Sequence, residues 1–392
     1  MRIAFVYDAI APWATGGAER RVAALAERLS GRHEVHLVGW QWWDGPSTVE
    51  RDGVILHGVG PAPELYGADG KRTVREAVAF SARLLPFLLR HRFDVIDCSA
   101  TPYLPLYSTA LAARITGARL VATWHEFWGE HWAEYLPDRP VVARVARWLE
   151  SGARRLGDHV VAVSPFTARA MGAEADPRLA IVPNGVDLAS LLSATPADEL
   201  VDILFVGRLI DEKRVDLLIG SLQTLGGRSL RPTCTIAGDG PERESLAEMA
   251  SKAGVAEQVV FAGRVDDATL HGLLRAARIL VLPSVREGFA MAVAEAQAAG
   301  AVPVVVSSPF SAASDLVRDG VDGLVVEATV DAIADALESL LTDARLRAEL
   351  SNGARATGAT RDWDAIAERI ESIYLGEGTV AEAQPARSLR WS

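Results

Sequence analysis

Asp202-Ile203-Leu204-Phe205-Val206-Gly207-Arg208-Leu209-Ile210-Asp211-Glu212-Lys213-Arg214-Val215 is an apolar run of strand length, a glycine-arginine turn, and two cations ahead of a helical pattern. The apolar run is too short for a helix and too continuous for a half-exposed strand, so it reads as a strand buried on both faces. The pattern Val215–Leu225 that follows has helical spacing. This strand-turn-helix unit predicts a parallel α/β sheet.

The same alternation repeats in both directions along the chain. Upstream lie Arg2–Tyr7, Glu34–Trp40, Val54–Gly58, Val95–Cys98, Leu120–Thr123, His159–Val163 and Ala180–Pro183; downstream lie Thr233–Ala237, Val259–Gly263, Ile279–Pro283, Pro303–Val306 and Leu324–Val326. The polar stretch Asp187–Glu199, with Ser193, Thr195, Pro196 and Asp198, reads as a linker. The expectation is two doubly wound, Rossmann-like domains, 1–187 and 200–360, facing each other across a cleft. A helix over 361–375 follows, with Trp363, Ile366, Ile370, Ile373 and Tyr374 on one stripe, and 376–392 reads as a mobile tail. At 392 residues the chain is long enough for two cores, since single cores stop growing near ~250–300 residues.

A net charge of −11 argues against a nucleic-acid partner, which needs a basic surface. No apolar run is long enough to span a bilayer. Residues 71–92 are locally basic: Lys71, Arg72, Arg75, Arg83, Arg90 and Arg92 stand among Leu84, Leu85, Phe87 and Leu88. A solvated helix face explains them, and peripheral contact with a membrane or an anionic acceptor is the sharper reading. Cys98 and Cys234 lack metal-ligand spacing and read as reduced thiols of a cytoplasmic protein.

Ligands of open α/β sheets sit beyond the carboxyl ends of the strands, so residues just after strands are the candidates. Arg208 and Lys213 are placed to hold a diphosphate, because cations near a helix N-terminus are unfavourable unless an anion sits between them. Gly16 and Gly17, before the helix that starts at Ala18, allow close backbone approach to a phosphate or sugar, although a tight turn explains them equally. In Arg286-Glu287-Gly288-Phe289-Ala290-Met291-Ala292-Val293-Ala294-Glu295-Ala296, Glu295 is the one charge inside an apolar helix that ends at Gly300. A buried carboxylate needs hydroxyls or a cation as partner. Glu287 sits just ahead of that helix, where its dipole favours a carboxylate. His125 closes a strand in Thr123-Trp124-His125, and the following spacing does not match the zinc motif His-Glu-x-x-His.

Taken in order, Gly16-Gly17-Ala18-Glu19, Asp94-Val95-Ile96, Val182-Pro183-Asn184-Gly185-Val186-Asp187, Gly207-Arg208 with Lys213, Ala237-Gly238-Asp239-Gly240-Pro241, Glu287 to Glu295 and Asp319-Gly320-Val321-Asp322-Gly323 resemble the family 4 retaining glycosyltransferases of GT-B fold. The resemblance runs from Met1 to about Leu375. It implies a metal-independent hexosyltransferase without cofactor, using a UDP- or GDP-linked sugar. Glu287 then bonds the donor sugar, Glu295 the ribose, Arg208 and Lys213 the diphosphate, and His125 lies beside the transferred sugar. Gly288, Phe289, Ala290 and Met291 line the sugar and phosphate pocket, and Arg264 and Val265 lie against the base. The N-terminal domain takes an unidentified acceptor (lipid, saccharide or small molecule), with one or two of its tryptophans touching it. Many relatives carry glycine where this chain has Ala290. A nucleotide-sugar epimerase and a non-catalytic nucleotide-sugar-binding subunit are the competing readings.

Overall fold

The computed structural model describes residues 1–14, 16–64 and 73–377. Thr15, Lys71, Arg72 and the expected tail from 378 onward lie outside the described residues. The chain divides into two compact units, Met1–Pro183 joined by the chain from Ile366, and Asn184–Ala365.

The first unit is built on strands β1 (Arg2–Val6), β2 (Glu34–Gln41), β3 (Thr48–Arg51), β4 (Val54–Pro61), β5 (Val95–Ser99), β6 (Arg119–Trp124), β7 (His159–Ala162) and β8 (Leu179–Ile181). They form one sheet in the order β3-β4-β2-β1-β5-β6-β7-β8. All pairs are parallel except β3 with β4. Strand β3 was not expected: Thr48-Val49-Glu50-Arg51 lies at the sheet edge, mostly exposed, so no buried apolar run marks it. The core between sheet and helices includes Val6, Phe80, Leu84, Leu88, Leu106 and Trp124. Leu84 and Leu88 therefore face inward and cannot be the apolar side of a membrane contact within 71–92.

The second unit holds β9 (Val201–Val206), β10 (Cys234–Ala237), β11 (Val259–Gly263), β12 (Ala277–Leu282), β13 (Val302–Val306) and β14 (Leu324–Val326). Their order is β11-β10-β9-β12-β13-β14, all parallel. The chain winds outward from β9 in one direction and from β12 in the other, so the strand order reverses between them.

The stretch expected as a linker is instead structured. Asp187 caps a helix, Leu188–Ser193, by accepting from the Ser190 N–H at 3.0 Å. Leu191 is fully buried, and Ala197 N–H bonds Gly272 O at 3.0 Å, stitching this stretch to the helix Asp267–Ala276. The polar residues that suggested a linker are capping and turn residues around a short apolar stripe.

The helix Trp363–Leu375 carries the division between the units within it. From Ile366 onward it packs with the first unit: Arg369 donates to Ile181 O at 2.8 Å, and Glu371 pairs with Arg32 and His33 at 2.6 and 2.7 Å. Among the described residues, no helix is long and apolar enough to cross a membrane.

Candidate active site

In the second unit, the loops after β9 and β12 flank the point where the strand order reverses, where the crevice of such a sheet opens. The loop after β9 is laced to its neighbour. Gly207 N–H bonds Ala237 O at 3.0 Å, Leu209 N–H bonds Asp239 O at 2.9 Å, and Glu242 N–H bonds Leu209 O at 3.1 Å. Gly238 has φ +150°, and a side chain there would begin 1.8 Å from the Gly207 carbonyl oxygen. That contact explains the first glycine of Gly238-Asp239-Gly240. The lacing leaves the Arg208 side chain exposed, without a hydrogen bond or ion pair to another described residue, while its carbonyl accepts from the Ile210 N–H at 3.1 Å.

Lys213 reaches across to the β12 side, where its Nζ contacts Glu287 Oε1. Both side chains are largely buried, and Val285 N–H bonds Glu212 O at 3.0 Å behind them. The structure thus brings together two residues that the sequence reading assigned to different parts of the donor. Glu287 is also held by its backbone: its N–H bonds Phe310 O at 3.3 Å and its carbonyl accepts from Ala312 N–H at 2.8 Å.

Gly288 and Phe289 lead to Ala290, which caps the helix Met291–Ala299 in a left-handed conformation, φ 68° and ψ 65°. A Cβ in that region costs roughly 1–2 kcal/mol, so the backbone at this position favours glycine over the alanine present. The Val293 N–H bonds Ala290 O, which leaves the Met291 and Ala292 N–H groups at the helix start as donors. Glu295 lies one turn on and is buried. Arg264 and Val265 follow β11, two strands from β9, the first exposed and the second half-buried.

In the first unit the candidates follow β1 and β6, which flank β5. His125 is half-buried, but its Nε2 is fully buried and has no hydrogen-bond partner among the described residues. Burial, with the positive charge of Arg21 nearby, lowers its pKa to about 3, so the ring is neutral at neutral pH. The ring of Tyr7, from the loop after β1, lies 6.5 Å away. Gly16 and Gly17 open the helix Gly17–Ser30, and the Glu19 carboxylate folds back to 2.5 Å from where a Gly16 side chain would start. The turn needs a small residue for that reason, and Glu19 stands in the first turn of the helix, where its dipole favours a carboxylate.

Two clusters here escaped the sequence reading. Asp97, buried in the middle of β5, accepts from Thr123 Oγ1 at 2.6 Å and from the Tyr374 hydroxyl at 2.5 Å. Burial raises its pKa, and these two hydrogen bonds and Arg21 partly oppose the rise. Arg21, fully buried and lowered to about 10, donates to Pro183 O at 2.7 Å. Glu150, fully buried on the helix Pro140–Ala153, accepts from the Trp128 and Gly129 N–H groups at 2.7 Å each and from the Tyr103 hydroxyl. It clamps the loop behind His125. That loop carries a ring cluster, with Trp128 5.3 Å from Trp132 and 4.6 Å from Tyr135. Trp124 and Trp40 are buried core residues. The only advance sign was Asp97, a charge inside an otherwise apolar strand.

A cavity of about 930 Å³ opens at the opposite, amino-terminal edge of the first sheet, lined by Met1, Asp94, Arg114, Arg119 and Asp158 among others. It is remote from the strand ends that carry the candidate residues. Among the described residues, no three His, Cys, Asp or Glu side chains gather as a metal-holding group.

Residues 15–190 match the family described as Glycosyltransferase Family 4, and residues 194–357 match Glycosyl transferases group 1. A D-inositol 3-phosphate glycosyltransferase of Xylanimonas cellulosilytica is 33% identical over 244 residues, 56% of this chain and 55% of its own. The GDP-mannose-dependent alpha-(1-6)-phosphatidylinositol monomannoside mannosyltransferase of Mycobacterium tuberculosis is 29% identical over 361 residues, 81% of this chain and 89% of its own. The mannosyltransferase aside, the matches span about half the length of the first curated relatives. Sucrose-phosphate synthase from Thermosynechococcus elongatus superposes with a TM-score of 0.79 at 17% identity, covering 96% of this chain and 98% of that one. Anabaena HepE, solved with UDP and glucose, gives 0.73 at 20% identity, covering 96% and 100%. With two consecutive family matches along most of its length and the sheet orders described above, the chain belongs to the family 4 glycosyltransferases and has the GT-B fold.

Proposed function

We propose that this chain is a retaining, metal-independent hexosyltransferase of the cytoplasm that takes a UDP- or GDP-linked sugar. The observation that carries the reading is the Lys213–Glu287 pair beside exposed Arg208 and the open start of the helix Met291–Ala299. Arg208 and Lys213 neutralise the charge that builds on the departing diphosphate, the role a metal plays elsewhere. The Met291 and Ala292 N–H groups donate to phosphate oxygens. Glu287 accepts from donor sugar hydroxyls while Lys213 holds its carboxylate in place, and Glu295 accepts from the ribose hydroxyls. Arg264 and Val265 bound the base. His125 acts as a neutral hydrogen-bonding group beside the sugar, because a ring of pKa about 3 is not the imidazolium that serves as a general acid at neutral pH. The departing phosphate takes the acceptor proton on the face where the new bond forms, so the anomeric configuration is kept. The acceptor belongs to the first unit, at the aromatic loop behind His125.

Relatives support the donor class: HepE was solved with UDP-glucose, and the mycobacterial relative is GDP-mannose-dependent. The test is incubation with UDP- and GDP-sugars in the presence of a chelator, with the released sugar's anomer read by NMR. Slow release with the anomer retained is expected, with Lys213→Ala and Glu287→Gln each at least ~100-fold slower. Activity that disappears with the chelator, or variants as fast as the parent, would refute the assignment.

A further inference from the structure

The connections β4 to β5, β5 to β6 and β6 to β7 all step the same way along the first sheet. Right-handed crossovers then put their principal helices on one face. These are Val74–Arg90, Tyr103–Thr116 and Pro140–Ala153, and they pack side by side. Their outer surface is unusual in two independent ways.

The first is apolar exposure. Val141, Val145 and Trp148 recur at helical spacing and are 66%, 50% and 73% exposed, and Leu111 and Ile115 of the adjoining helix are 50% and 62% exposed. Large side chains so open to water are normally scattered singly. The second is charge. The three helices contain six arginines, at 75, 83, 90, 114, 144 and 147, all exposed. They contain two carboxylates, Glu76 and Glu150, both buried. In a chain where acidic residues outnumber basic ones 51 to 40, the bias is local. One arginine, Arg147, pairs with Glu130 of the preceding loop.

We propose that this three-helix face docks on an anionic lipid surface, with Trp148 and the valine stripe entering the interface and the arginines meeting phosphate headgroups. Arginine and tryptophan around exposed aliphatics on an amphipathic helix are the composition that lies in a bilayer interface. An apolar protein groove would not select for three helices whose only carboxylates are buried. The inference does not depend on the transferase reading, because its test contains no sugar donor.

The experiment is flotation of the full chain with vesicles of phosphatidylcholine alone, or with about a third phosphatidylglycerol. Flotation with the anionic vesicles only is expected, weakening as salt rises. The double variant Arg144→Glu with Arg147→Glu should lower partitioning at least ~tenfold, since each cation near such a surface contributes about a fivefold factor. Trp148→Ser should lower it through the apolar contact, and because all three side chains are exposed, the variants should melt with the parent. Absence of flotation by the parent, equal flotation of the variants, or equal binding to neutral vesicles would overturn the proposal. So would self-association in size-exclusion chromatography that Trp148→Ser abolishes, which makes the face a contact between copies.

Discussion

Replacing Glu150 with alanine strips an acceptor from three donors at once: the half-buried backbone N–H groups of Trp128 and Gly129 and the buried Tyr103 hydroxyl. Each donor orphaned in full burial costs ~1–3 kcal/mol, a gross loss of about 3–9 kcal/mol that solvent reaching the two half-buried amides brings toward its lower end. Part returns, because the site also charges for burying a carboxylate, as the raised pKa of Glu150 shows. A net loss of about 2–4 kcal/mol is expected, and in a unit of this size that lowers Tm by about 4–16 °C. Glu150→Gln keeps the shape but turns an amide N–H₂ toward one donor, so it should fall between alanine and the parent. The assay is thermal melting with hydrogen exchange at the Trp128 and Gly129 amides, followed by steady-state kinetics. Because the clamp holds the loop and not the donor, KM for acceptor should rise while KM for the nucleotide sugar stays put. If the alanine variant melts with the parent and the two amides keep their protection, Glu150 does not anchor the loop.

Ala290→Gly should stabilise the chain by ~1 kcal/mol in chemical denaturation, since it relieves a Cβ at φ 68°. Gly238→Ala should do the reverse, because its methyl would meet the Gly207 carbonyl; a loss of at least ~2 kcal/mol and weaker nucleotide binding by calorimetry are expected. Stability should also fall as pH drops from 6.5 to about 4. Burial holds His57 down at about 4 and lowers His36, so the folded chain refuses protons that the unfolded chain accepts in that window. Urea melts at both ends of the range should show a shallower fall in His57→Gln than in the parent.

The parallel strands were legible because strands buried on both faces leave short apolar runs bounded by turns. β3 was not, since an edge strand exposes its side chains and needs no such run. In the site, Arg208, Lys213, Glu287 and Glu295 could be named because each breaks a local rule, whether a cation ahead of a helix or a carboxylate in an apolar one. That Lys213 touches Glu287 could not be read, as it depends on β9 and β12 becoming neighbours across 74 residues of chain. Glu150 and Arg21 break no local rule. Arg20 and Arg21 look interchangeable in an amphipathic helix, and only tertiary packing sends the second into the interior beside Asp97.

The last helix has a consequence for how the protein is made. Tyr374 supplies one of the two side-chain hydroxyls that Asp97 accepts from, yet it emerges from the ribosome 277 positions later. Until then β5 carries a charge in its interior with half its hydroxyl partners missing. The amino-terminal half lacks this partner until synthesis is nearly over, and a fragment ending near Pro183 should be less stable than the same segment within the full chain. Supplying the helix Trp363–Leu375 as a separate peptide should restore it.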